Sequence, residues 1–234
     1  MRKLLVNILC GFIPNRKLRM HVRVNLNNPI RKWTKFAKSF SNKKHPIVRY
    51  NYGYRCINFV VTIDNKYVFK FPLNNKDGWD IASREKRITD VFRKISPIKI
   101  PDMEILDFDG LAVRKYEYIK GISFNSLDRD TQNKGVDKIA KQLAEFLYVI
   151  GKSDPKEIAD LKNKKTEKPY VMHGWNQNDL WDNFMVNTKN FDIIGIIDWE
   201  GAEFGDFHRL FTSGTGNDNM KRALLREYLN LWKK

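Results

Sequence analysis

One stretch of this chain narrows its possible folds more than any other: an apolar run that ends abruptly on a carboxylate. Ile193, Ile194, Gly195, Ile196 and Ile197 read as a fully apolar strand, and the chain then enters Asp198-Trp199-Glu200-Gly201-Ala202-Glu203-Phe204-Gly205-Asp206. Upstream, a polar stretch from His173 to Asn183 leads into a second apolar run, Phe184 to Val186. The pattern predicts loop, strand, turn, strand and acidic loop. A carboxylate just past an apolar strand, with an amide in the preceding loop, supplies the hard oxygen ligands that magnesium takes. The competing reading is that Asp and Asn merely cap turns there, and for Asp182 it stands beside the functional one.

The residues before this segment fit an α+β chain. Ile47 to Tyr52, Asn58 to Ile63 and Lys66 to Phe71 read as strands, the last two joined by Asp64-Asn65, a hairpin signal. Asp80 to Lys94 reads as a helix with Ile81, Ile88, Val91, Phe92 and Ile95 near helical spacing, and a second hairpin is expected around Asp109-Gly110. Val136 to Ile150 places Ile139, Leu143, Phe146, Leu147 and Ile150 on one helical face, and a closing helix is expected from Asn219 to Trp232. Lys70 lies among apolar neighbours in Tyr67-Val68-Phe69-Lys70-Phe71, where a charge is costly to bury unless paired, and Glu85 on the following helix is a candidate partner.

Charge is distributed unevenly. The formal net charge is +16, but residues 1–50 hold 13 Lys and Arg and no Asp or Glu, leaving 30 basic against 27 acidic residues elsewhere. The basic character therefore belongs to an N-terminal arm, residues 1–45, and not to the whole surface. Leu4, Leu5, Ile8, Leu9 and Phe12 form an apolar helical face before Pro14, and the following cations are interleaved with Trp33, Phe36 and Phe40. That composition suits an anionic membrane surface, a helix packed on its own domain, or, third in order, nucleic acid. Neither a secretory signal nor a spanning stretch of about 20 apolar residues is read. Cys10 and Cys56 have no metal or disulfide spacing, which fits a cytoplasmic protein.

Ile196-Ile197-Asp198-Trp199-Glu200, followed by Gly205-Asp206, resembles the metal loop of the aminoglycoside phosphotransferase and choline kinase group of kinase-like enzymes. Asn178-Asp179-Leu180 with Asn183 resembles their catalytic loop, H-G-D-L-x-x-x-N or H-N-D-L-x-x-x-N. The resemblance covers roughly residues 47–210 and implies a protein-kinase-like two-lobed fold: a small antiparallel-sheet N-lobe over 46–120 and a reduced, mainly helical C-lobe over 121–234. It also implies ATP and magnesium, with Asp198 and Asn183 as metal ligands, Lys70 on the phosphates, Glu85 orienting the lysine, and Glu117-Tyr118 in the segment that receives adenine. The base departs from the pattern, because Asp179 precedes Asn183 by four residues where the family has five, and Asn178 occupies the family position. Asp179 is the candidate base, Asp182 the second choice, and loss of catalysis a third outcome. No glycine-rich phosphate loop is present; only Gly53 lies between the first strands. His173 reads as structural.

Trp175, Trp181 and Trp199 lie near the proposed acceptor side, where aromatic faces would suit sugar rings. Only 36 residues follow Asp198, which predicts an open acceptor site. The segment from Ile8 to Arg19 resembles N-terminal segments of proteins of bacterial surface-polysaccharide and lipopolysaccharide assembly. The expected activity is phosphorylation of a sugar hydroxyl in such a glycan, on a glycolipid at the inner membrane face. The alternatives are a soluble aminoglycoside, choline or sugar kinase, and an inactive kinase-like binding module.

Overall fold

The computed structural model describes residues 6, 8, 10–51, 57–73, 77–162, 172–177, 180–212 and 217–233. They form two compact units: residues 1–82 with 104–118, and residues 83–103 with 119–234.

The first unit is built on a five-stranded sheet in the order β1-β2-β3-β5-β4, made of β1 (Val48–Asn51), β2 (Asn58–Ile63), β3 (Tyr67–Pro72), β4 (Met103–Phe108) and β5 (Leu111–Glu117). Period-two alternation decides its orientation: Phe59, Val61 and Ile63 of β2 are buried while the residues between them are not. Asp64 and Asn65 (φ 55° and 53°) turn β2 into β3, and Asp109 and Gly110 (φ 54° and 76°) turn β4 into β5, the left-handed backbone that tight hairpins demand. Both hairpins fall where the turn residues predicted them.

Helices α1 (Arg16–Asn27) and α2 (Ile30–Lys38) precede the sheet. Asn15 caps α1 by accepting from the Leu18 N–H at 3.1 Å, just after Pro14. The aromatic residues expected on a membrane face lie elsewhere. Trp33 stacks on Phe71 at 5.2 Å, Phe36 meets Phe108 at 4.2 Å, and Phe40 meets Phe69 at 5.1 Å, so these rings cover the sheet. A ring buried among rings gains more than one left at a wet surface. The cations Arg31, Lys32, Lys35 and Lys38 remain exposed.

The second unit is mainly helical. It takes in most of α3 (Gly78–Phe92), then β6 (Ile122–Ser123), α4 (Arg129–Lys134), α5 (Val136–Lys152), β7 (His173–Gln177), α6 (Leu180–Asn183), β8 (Phe184–Asn187), β9 (Asp192–Ile196), β10 (Ala202–Asp206), α7 (Arg209–Thr212) and α8 (Asp218–Trp232). Its strands make a three-stranded sheet, β6-β8-β9, and a two-stranded ribbon, β10-β7. Ile139, Leu143, Phe146, Leu147 and Ile150 of α5 are all fully buried, as their spacing predicted, in one core with Met220, Ala223, Leu224 and Tyr228 of α8. Ile95, expected to continue the apolar face of α3, lies beyond the helix end at Phe92 and is 44% exposed. No helix among the described residues is long and apolar enough to cross a membrane.

Candidate active site

Hairpin β8–β9 brings the two proposed metal ligands to one end. Phe184 lies opposite Ile196, and the ladder runs one step further, the Ile197 N–H donating to the Asn183 carbonyl at 2.9 Å. Asn183 closes α6 immediately before β8, and Asp198 follows Ile197, so an amide and a carboxylate that are 15 positions apart in the sequence share one hairpin end. Asp198 has φ 61° and ψ 65°. Among the described residues, the other non-glycine residues of positive φ, Asp64, Asn65, Asp109 and Phe191, sit between paired strands, whereas Asp198 opens a short 3₁₀ turn (Trp199–Gly201). Such a conformation costs on the order of 1–3 kcal/mol and persists only when its surroundings enforce it.

Those surroundings come from α3. Glu85, fully buried, accepts a hydrogen bond from the Trp199 N–H at 3.1 Å. The Trp199 indole donates to the Ile196 carbonyl at 3.1 Å, with its ring 5.9 Å from that of Phe92. Arg84, half-buried, sets its guanidinium on the Glu200 carbonyl at 3.4 Å and on the Ala202 carbonyl. Burial pulls the Arg84 guanidinium below its ordinary value, against the opposing charges of Glu203 and Glu85. Sequence reading singled out Glu85 and missed Arg84, whose only signal was its place beside Glu85.

Asp182 is engaged differently. Its carboxylate accepts from the Asn125 amide at 2.7 Å and its carbonyl from the Ser123 hydroxyl at 2.8 Å, which ties α6 to the turn at Phe124–Ser126. This is the turn-holding role. Asp179 and Asn178 lie outside the described residues. The segment 173–177, read as loop, is strand β7, pairing His173 with Asp206. Gly174 permits this: a Cβ there would lie 2.0 Å from the Gly151 carbonyl oxygen, a clash that only glycine avoids. Trp175, Trp181 and Trp199, expected near an acceptor, are 0%, 2% and 1% exposed. They belong to the core of the second unit, where large apolar surface is best hidden, and offer no face to a sugar.

In the first unit, Lys70 lies on β3 between Val60 and Arg114, 8% exposed, with its ammonium 5.2 Å from the Tyr116 ring centre. A cation over a ring regains about 2 kcal/mol when desolvated, less than the several kcal/mol that burial costs, so the ring offsets only part of the penalty. Glu117, opposite Tyr67, is exposed at the end of β5, and the Tyr118 N–H donates to the Lys66 carbonyl at 2.9 Å.

The donor set at the hairpin end fits magnesium. Among the described residues no three His, Cys, Asp or Glu side chains gather into a cluster. A divalent ion there would take one carboxylate and one amide from the protein and complete its shell with water and phosphate oxygens, the usual manner of magnesium at nucleotide sites.

No family model matches the chain, and no curated protein matches it. Solved structures do. A GDP complex of aminoglycoside 2'-phosphotransferase-IIIa aligns with a TM-score of 0.65 at 17% identity, covering 86% of this chain and 83% of that one. A streptomycin–ATP ternary complex of APH(2'')-IIa aligns at 0.60 and 17%, covering 86% and 84%. A macrolide 2'-phosphotransferase from Brachybacterium faecium aligns at 0.57 and 14%, covering 79% and 77%. With its five-stranded antiparallel sheet and its mainly helical second unit, the chain has the protein-kinase-like fold of the aminoglycoside and macrolide phosphotransferases.

Proposed function

We propose that this protein transfers the terminal phosphate of ATP, with magnesium, to a hydroxyl of a sugar in lipopolysaccharide or another surface glycan, working at the cytoplasmic face of an anionic membrane. The observation that supports the reading is the Ile197-to-Asn183 backbone bond, which brings residues 183 and 198 to one end of the β8–β9 hairpin. Phosphoryl transfer asks a protein mainly for positioning and for charge stabilisation, and little covalent chemistry. Asp198 and Asn183 would hold magnesium, whose charge would offset that of the phosphate oxygens. Glu85 and Arg84 keep the Asp198 loop in place through Trp199, Glu200 and Ala202. Lys70 takes the phosphates that are not transferred, and the backbone at Glu117-Tyr118 takes the adenine. Asp179 accepts the proton of the attacking hydroxyl; Asp182, committed to Asn125, is the weaker choice.

The streptomycin complex among the fold neighbours favours a second reading, in which the acceptor is a free small molecule. One experiment separates the two. ATP labelled on its terminal phosphate is supplied with magnesium to an envelope glycolipid extract and, separately, to a panel of aminoglycosides, choline and free sugars. Wild type, Asp198→Asn and Asp179→Asn are compared. Label in glycolipid, reduced at least about 100-fold by either substitution, is expected. Label only in a free small molecule establishes the second reading. Nucleotide binding without transfer to any acceptor overturns both and leaves a kinase-like binding module.

A further inference from the structure

Three of the exposed cations of the N-terminal segment surround one depression. Arg31, Lys35 and Lys38 recur at i, i+4 and i+7 along α2, and together they line a cavity of about 500 Å³ with Asn25, Tyr50 and Phe59. All three are exposed, and none makes an ion pair among the described residues. Lys32, next to Arg31, is by contrast neutralised by Asp109. The Tyr50 ring lies 5.8 Å from that of Phe59 and nearly parallel to it (19°), so the concavity has an aromatic side as well as a cationic one. Three like charges around one depression repel one another and raise the local concentration of anions.

The same segment also carries large apolar side chains that are exposed. Phe12 is 82% exposed, and Leu18 and Leu26, eight residues apart on α1, are 54% and 40% exposed. With the cations, they make the composition of an element lying in the headgroup region of a bilayer. A polyphosphate backbone would engage the cations and leave the apolar residues in water, which favours lipid over nucleic acid.

We propose that this cavity is a headgroup site for an anionic phospholipid: the phosphodiester sits among Arg31, Lys35 and Lys38, while Phe12, Leu18 and Leu26 enter the acyl boundary. The site gives the membrane-face part of the reading above a specific location. It does not depend on phosphoryl transfer, so its test uses neither ATP nor acceptor.

The full chain is sedimented with phosphatidylcholine vesicles that contain or lack phosphatidylglycerol. Wild type is compared with the triple variant Arg31→Gln, Lys35→Gln, Lys38→Gln and with a control that removes equal charge from exposed positions outside the cavity, Arg23→Gln, Lys44→Gln, Arg49→Gln. Each cation near an anionic surface is worth about fivefold, so the cavity variant should lose about 100-fold in affinity for phosphatidylglycerol vesicles and the control less than tenfold. Equal losses in the two variants, or wild-type binding indifferent to phosphatidylglycerol, would overturn the proposal. So would tighter, cavity-dependent binding to duplex DNA. A second measurement needs no variant: acetylation of lysines in the wild type, with and without vesicles, should show Lys35 and Lys38 protected while Lys44 reacts. Equal reactivity of all three in the presence of vesicles counts against the site.

Discussion

Asp64 and Asp198 share a backbone conformation, with φ 55° and 61°, in different settings. At Asp64 the left-handed backbone belongs to the turn that joins β2 to β3, and the carboxylate is fully occupied nearby. It accepts from the Ser41 hydroxyl and from the Ile47 N–H at 2.9 Å, with the Lys43 ammonium 3.5 Å away. These contacts, the Ser41 hydroxyl foremost, hold its carboxyl below the ordinary range. Asp198 follows a strand with no hairpin to close, and its side chain makes no capping bond to the 3₁₀ turn it opens. Its backbone is fixed by others: Glu85 on the Trp199 N–H and Asn183 on the Ile197 N–H. The comparison teaches where to look for chemistry. A strained residue inside a hairpin turn is accounted for by the turn, and one outside any hairpin is a functional candidate.

The comparison breaks most sharply at Asp198 itself. Asp198→Gly relieves the left-handed strain, so stability in chemical denaturation should be unchanged or higher by up to about 1 kcal/mol, while phosphate transfer falls at least about 100-fold. A variant that loses stability and keeps transfer would make Asp198 a second Asp64.

A smaller effect is expected at Arg84. Lysine there offers a single ammonium where the guanidinium reaches two carbonyls, so the loop is less well placed, and kcat should fall about tenfold with little change in KM for ATP. Steady-state kinetics with Arg84→Lys checks this. An unchanged kcat would assign the loop to Glu85 alone.

The smallest effect on activity belongs to Asp64→Asn, which should leave transfer untouched and lower only the unfolding midpoint. The sign of its pH dependence follows from the depressed carboxyl. The charged form is favoured by folding, so its contribution is complete above the unfolded value near 3.8 and disappears as pH falls through the lower folded value. Wild type and variant should therefore differ at neutral pH and converge in acid. A gap of constant size across that range would show that the carboxylate's charge plays no part in holding the turn.

Much of this molecule was legible from local pattern. The hairpins at Asp64-Asn65 and Asp109-Gly110, the buried face of α5 and the apolar strand before Asp198 all follow from side-chain period and turn chemistry, which act within a few residues. The first-unit core shows the limit of such reading. The spacing of Trp33, Phe36 and Phe40 fits a membrane-facing helix and a core-facing one equally well, because both bury one apolar stripe, and only the sheet beside α2 chose between them. The indoles misled for the same reason: sequence shows that Trp175, Trp181 and Trp199 flank the polar loops, and packing decides that they point inward.

What the chain determined by itself is the pair of hairpins in the first unit, the long helix α5, the identity of the turn residues and the chemical types near Asn183 and Asp198. What only the tertiary structure decided is which distant groups hold them. Glu85 reaches Trp199 across 114 residues of sequence and Arg84 reaches Ala202 across 118. No periodicity spans such an interval; it is closed by burial of the second unit's shared core, which brings α3 against the acidic loop at no cost that local preference could anticipate.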